Sequence, residues 1–92
     1  MIQALILINV ERGNVPQTAQ QLLKIDGLYE VFSVTGEFDL VALVRVKEYD
    51  DLANVVTAKV AQIPSIIHTT TMVAFKVYSR DDIEQSFNIG VE

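Results

Sequence analysis

Two short segments, residues 2–9 and 40–46, carry apolar side chains at odd and even positions alike. Ile2, Ala4, Ile6 and Ile8 oppose Leu5 and Leu7 in the first; Leu40, Ala42, Val44 and Val46 oppose Val41 and Leu43 in the second. Both segments are rich in branched residues and too short for a core helix, so both read as strands apolar on two faces. An antiparallel strand with one solvated face should instead alternate apolar and polar residues. The fold must therefore cover both faces of its sheet, and a chain of 92 residues has room for only one core of its own.

The remaining segments supply cover for one face. Asn14 stands at an N-cap position and Pro16 in the first turn of a helix over about residues 15–25, with Ala19, Leu22 and Leu23 at helical spacing. Residues 28–35 alternate again as strand two, Leu28, Glu30, Phe32 and Val34 on one side, and Gly36-Glu37-Phe38-Asp39 forms a short hairpin into strand three. Asp50 or Asp51 can cap a second helix whose apolar positions Leu52, Val55, Val56, Val60 and Ile63 follow an i, i+3, i+4 rhythm up to Pro64-Ser65. Strand four is expected from about residue 67 to 78. Beyond it Ser79-Arg80-Asp81-Asp82 reads as a capping box for a short terminal helix bearing Ile83 and Phe87. The order is that of an α+β, ferredoxin-like βαββαβ domain over residues 1–78, with a C-terminal extension over 79–92. Its four-stranded antiparallel sheet has both helices on one face. The second face, bearing Leu5, Leu7, Val41 and Leu43, is expected to be buried by another copy of the chain, sheet against sheet.

Charge and residue usage narrow the chemistry. Twelve acidic and seven basic side chains give a net charge of -5, so the counterion release that drives nucleic-acid binding has no source here. There is no cysteine for a disulfide, a thiolate metal site or a nucleophile, and His68 is the only histidine, which excludes multi-histidine metal clusters. The N-terminal Met-Ile-Gln carries no basic leader, and the longest apolar runs are five residues against the roughly 20 a membrane span needs. A cytoplasmic protein that binds no membrane is the expectation. Glycines 13, 27, 36 and 90 are too dispersed for a phosphate loop or dinucleotide fingerprint, and no cofactor, metal or catalytic set is indicated. The acidic pairs Asp50-Asp51 and Asp81-Asp82 fit helix starts. His68 is a candidate general base by residue type, but no titratable group is evidently paired with it.

Two segments stand out: the hairpin Thr35-Gly36-Glu37-Phe38-Asp39, with two carboxylates at the tip of a rigid element, and Thr69-Thr70-Thr71 at the start of strand four. In the ferredoxin-like order strand four is not bonded to the hairpin strands, so the two segments should meet only across a fold edge or between subunits. Turn and strand preferences account for every residue in them except the density of hydroxyls.

Thr35-Gly36-Glu37-Phe38-Asp39-Leu40, followed by an apolar strand ending Val44-Arg45-Val46, resembles the Thr-Gly-x-Tyr-Asp hairpin of the Lrp/AsnC family of amino-acid-responsive regulators. Leu23-Lys24-Ile25-Asp26-Gly27-Leu28 resembles the stretch before it, and Ile63-Pro64-Ser65-Ile66 through Thr69-Thr70-Thr71 resembles that family's Pro-Gly-Val and Thr-x-Thr segments. The likeness covers residues 1 to about 78 and concerns only the effector-binding module (RAM domain), without the helix-turn-helix half. It implies a dimeric α/β sandwich or barrel that assembles into a ring, an octamer or decamer, and binds a small amino acid between subunits. Residue by residue, it implies a ligand site of Thr35, Gly36, Glu37, Phe38 and Asp39, faced by Thr69, Thr70 and Thr71 of a neighbouring subunit. Asp39 would accept from an α-ammonium, while amides around Gly36 and threonine hydroxyls would donate to an α-carboxylate. Phe38 stands where tyrosine is commoner, which removes a hydroxyl, and Ser65 replaces a glycine, which should alter the turn before strand four. The implied function is a non-enzymatic, amino-acid-sensing oligomerisation module that acts on transcription through a DNA-binding partner, for example a full-length regulator of the same family. Two alternatives stay open: a dimeric α/β-barrel enzyme of the cofactor-independent oxygenase or isomerase type, with His68 the residue to suspect, and a bare scaffold.

Overall fold

The computed structural model describes residues 1–80. Four strands and two helical segments follow the anticipated order: β1 (Ile2–Val10), α1 (Val15–Leu23), β2 (Leu28–Ser33), β3 (Leu40–Val46), α2 (Tyr49–Asn54) and β4 (Ile66–Val73). The sheet order is β2-β3-β1-β4, with the two central strands and both outer pairs antiparallel. This is the ferredoxin-like arrangement. The terminal helix expected near Ile83 and Phe87 falls outside the described residues.

The two strands apolar on both faces are the central pair, as their composition requires. The even-numbered members, Ala4, Ile6, Ile8, Val10, Leu40, Ala42, Val44 and Val46, are buried beneath the helices with Leu22, Leu28, Leu52, Val55 and Val60. Their odd-numbered neighbours lie on the opposite, outer face, where Leu5 pairs with Leu43 and Leu7 with Val41 and all four are only half-buried.

Several local expectations are corrected by the backbone. Strand two does not alternate cleanly: a bulge between Leu28 and Glu30 sends Leu28 into the core opposite Val44, while Glu30 and Phe32 pair with Leu43 and Val41 on the outer face. An extra residue in one strand resets its parity, which a period-two pattern cannot show. Helix one ends at Leu23, and Asn14 caps it only through its carbonyl, which accepts from Thr18 N and Thr18 Oγ1 at 3.0 and 2.6 Å. In helix two Glu48, not Asp50 or Asp51, takes the N-cap position, and its N–H donates to Asp51 Oδ2 at 3.3 Å. Nor does that helix keep one pitch to Ile63. After Asn54 it widens into a π-helical turn, Val55–Lys59, and closes with a 3-10 turn, Val60–Gln62. The buried positions explain this: Val55 and Val60 lie five apart, about 140° round an ideal α-helix, and the Val60 N–H bond to the Val55 carbonyl brings both onto the core. Strand four stops at Val73, because β1, its only ladder partner among the described residues, begins at Ile2; one further bond, Ala74 N to Gln3 O at 2.8 Å, ends the pairing.

Candidate functional site

The hairpin between β2 and β3 is closed by Val34 N donating to Asp39 O at 3.1 Å and turns at Gly36, whose φ of 104° is favourable only for glycine. It does not stand free as a tip. Asp39 N donates to Ile8 O at 2.9 Å, Asp39 Oδ2 accepts from Val10 N at 2.9 Å, and Asn9 Nδ2 donates to Glu37 O at 2.7 Å. The hairpin is thus fastened across the C-terminal end of β1. The β1–β3 ladder ends at Ile8 and Leu40, and the Asp39 carboxylate satisfies Val10 N, the next donor on that side of β1.

On the other side of the same strand end lies the start of β4. Ile8 pairs with Thr69, Leu7 with Thr70, Ile6 with Thr71, and Asn9 with His68. The hairpin and the three threonines therefore flank one residue, Ile8, within a single chain, about two strand spacings or roughly 10 Å apart. As the ferredoxin-like order implies, β4 is not bonded to the hairpin strands, and β1 stands between the two segments. The threonines do not share a face. Thr69 and Thr71, half-buried, point to the helix side with Ile8 and Ile6, whereas Thr70 is exposed on the outer face beside Leu7. Thr35, Gly36 and Glu37 are exposed, and Phe38 and Asp39 half-buried.

One residue at this end was not singled out from sequence. Asn9 ties the hairpin to β1, and its only sequence signal is a polar amide closing an apolar run. Ser65 also has a defined role: its Oγ lies 2.5 Å from Oγ1 of Thr18, a fully buried residue, and its carbonyl accepts from Glu11 N at 2.8 Å. No non-glycine residue among those described has a positive φ, so Ser65 fits its turn without strain, and the hydroxyl that replaces a glycine clasps α1 to the loop before β4.

The outer sheet face extends this site. Half-buried Leu5, Leu7, Val41 and Leu43 form its centre, and Phe32 and Met72, each 45% exposed, continue it on the flanking strands. Polar groups bound it: Asn9, His68 and Thr70 at the hairpin end, and at the other end Arg45, whose guanidinium sits 4.7 Å from the centroid of Tyr29. His68 is exposed on this face. The space between helices and sheet is packed by Ile6, Ile8, Leu22, Leu40, Val44 and Val60, each under 2% exposed, and His68 lies on the opposite side of the sheet from it. No described helix is long and apolar enough to cross a membrane.

Comparison with known proteins places this geometry among regulators. The HTH-type transcriptional regulator FL11 of Pyrococcus furiosus is 35% identical over 77 residues, 84% of this chain and 50% of that protein. The chain thus spans about half the length of the curated relatives it matches. The crystal structure of TTHA0845 from Thermus thermophilus is 38% identical and superposes with a TM-score of 0.81 over 87% of this chain and all of that one. At 15% identity, the L-Met complex of the transcriptional regulator NMB0573 from Neisseria meningitidis shares the fold, with a TM-score of 0.76 over 86% of this chain and 53% of its own. The family model of the Lrp/AsnC ligand binding domain matches residues 3–83. The curated relatives are HTH-type transcriptional regulators, and the chain belongs to the Lrp/AsnC ligand-binding domain family.

Proposed function

We propose that this domain is a non-enzymatic amino-acid sensor and assembly module, with its effector site at the hairpin end of the sheet and its outer face buried against a second copy. The observation that carries the reading is the clasp at the end of β1: Asn9 and Asp39 fasten the hairpin to it, and Thr70 stands across β1 on the same outer face, at the rim of an apolar surface. An α-ammonium would be held by Asp39 Oδ1, since Oδ2 already accepts from Val10 N. An α-carboxylate would take amides around Gly36 and threonine hydroxyls, Thr70 from the same outer face and Thr69 and Thr71 from a neighbouring dimer in a ring of eight or ten copies. That the Neisserial regulator of the same fold was solved with L-Met supports a small amino acid as the class of effector.

Burial of Leu5, Leu7, Val41 and Leu43 favours the dimer, at roughly 1.5–3 kcal/mol for each side chain taken fully from water, less what the half-buried state already gains. Control of DNA would be indirect, in the cytoplasm, through a full-length regulator of the family joined by the same contacts, because a chain of net charge -5 has no basic surface with which to bind phosphates. The test is a thermal-shift screen with the twenty amino acids: one or a few should raise the melting temperature at millimolar concentration, and Glu37→Gln combined with Thr70→Val should weaken that response while leaving the unliganded melting temperature in place. A flat screen, with particle mass at the single-chain value, would overturn the reading.

A further inference from the structure

A cleft of about 360 Å³ opens at the other end of the sheet, away from the hairpin. That volume is within the range of small-molecule sites. It is formed by the α1–β2 turn, the end of β3 and the π-helical turn, and its floor is apolar, from Val46 and Val55. Around the floor stand side chains of both signs: Lys47 and Lys59 on one hand, Asp26 and Asp51 on the other. Among the described residues no ion pair joins any of them; Asp51 accepts only from Glu48 N, through Oδ2. Arg45 also borders the cleft, but its guanidinium is committed to the Tyr29 ring on the outer face.

Opposite charges on a shared rim usually gain a little by closing on one another. Here the backbone keeps them apart. Gly27 has a φ of +101° and packs so closely that a Cβ would lie 3.1 Å from Val46 Cγ1, and its carbonyl accepts from Arg45 N at 2.8 Å, which fixes the Asp26-Gly27 turn against β3. Lys59 closes the π-helical turn eight residues after Asp51, roughly 12 Å further along the helix axis. Such turns occur often at functional sites. The result is a gap with unpaired cations and unpaired carboxylates facing across an apolar base.

We propose that this cleft binds a zwitterionic small molecule, with its carboxylate held by Lys47 and Lys59 and its ammonium by Asp26 and Asp51. A free amino acid is the simplest molecule with that pattern. A lone carboxylate would leave the aspartates uncompensated and a lone amine would leave the lysines so, whereas a zwitterion answers both sets at once. The cleft lies within one protomer and shares no residue with the hairpin end, so it stands or falls separately from the effector site proposed above.

The experiment is a titration of the ¹⁵N-labelled protein with α-amino acids, followed by amide chemical shifts. Each amino acid that responds is repeated as its deaminated acid and its decarboxylated amine. Saturable shifts are expected at Gly27, Lys47 and Lys59, with both analogues binding at least about tenfold more weakly. Lys59→Gln and Asp26→Asn, both at exposed side chains, should each weaken the zwitterion by about tenfold and leave the Gly36 amide and the spectrum of the free protein otherwise in place. The proposal is overturned if no amino acid gives saturable shifts at these amides up to about 10 mM, if the shifts are confined to the hairpin, if an analogue binds as tightly as the zwitterion, or if both substitutions leave the affinity unchanged.

Discussion

Replacing Asp39 with alanine separates what this residue does for the fold from what it does for a ligand. Its Oδ2 accepts from Val10 N at 2.9 Å, Val10 is only 6% exposed, and the β1–β3 ladder, which ends at Ile8 and Leu40, leaves that N–H no strand partner. A hydrogen bond to a charged acceptor contributes about 1.5–3 kcal/mol, and a buried donor left unpaired costs about 1–3 kcal/mol. Partial exposure of the carboxylate puts Asp39→Ala near the lower end, about 2 kcal/mol. Asp39→Asn keeps an oxygen acceptor in the same place and loses only the charge, so its cost should stay below about 1 kcal/mol. For a domain of this size each kcal/mol shifts the melting temperature by about 4–8 °C, so alanine should lower it by roughly 10 °C and asparagine by less than about half of that. Calorimetry at one fixed protomer concentration measures both, since any self-association makes the midpoint concentration-dependent. If the two variants fall equally, or if alanine costs under about 0.5 kcal/mol, the bond to Val10 does not hold the hairpin as described. Asparagine is then also the variant in which to measure effector binding, because a ligand response lost in the alanine variant alone would report a loosened hairpin.

Three further outcomes follow from the packing. A charged residue on the outer face, Val41→Lys or Leu43→Asp, should lower the particle mass by light scattering while far-ultraviolet circular dichroism stays unchanged, because both side chains are only half-buried within one chain; an unaltered mass would remove that face from the interface. Thr18→Val and Ser65→Ala should each cost about 1–2 kcal/mol in urea unfolding, with a coupling of at least about 0.5 kcal/mol in the double-mutant cycle, since each hydroxyl satisfies the other. Gly27→Ala should destabilise by more than about 1 kcal/mol, through the left-handed backbone and the crowding against Val46, and a neutral result would contradict that local geometry.

The layout of the fold was legible because it depends on periodicity. Even-numbered residues of β1 and β3 enter the core and odd-numbered ones face out, as the double apolar pattern demanded. What escaped the sequence depends on single extra residues or on contacts distant along the chain. The bulge at Tyr29 moves Leu28 to the face opposite Glu30, and alternation counted along the strand cannot register an insertion. Helix two looked regular because Leu52, Val55, Val56 and Val60 fit one pitch; that Val55 and not Val56 shares the core with Val60, through a wider turn, is set by packing. At the candidate site the motif residues were found, but not their setting. Asp39 reaches back 29 residues to Val10, and Asn9 reaches forward 28 to Glu37, and no local pattern in either segment announces the other.

The tether from Asn9 to the hairpin has a thermodynamic corollary. Asn9 and Leu7 are next-but-one neighbours on the same side of β1, one gripping the hairpin and the other lying in the apolar face. If an effector tightens the hairpin and a second copy covers that face, the two equilibria share a strand and cannot be independent: whatever free energy the small molecule lends to association, association must return to the affinity for the small molecule. The concentration of effector that half-saturates the domain would then be no fixed constant but would drift with the amount of protein present, and a cell could retune the threshold of its sensor by changing how much of it is made.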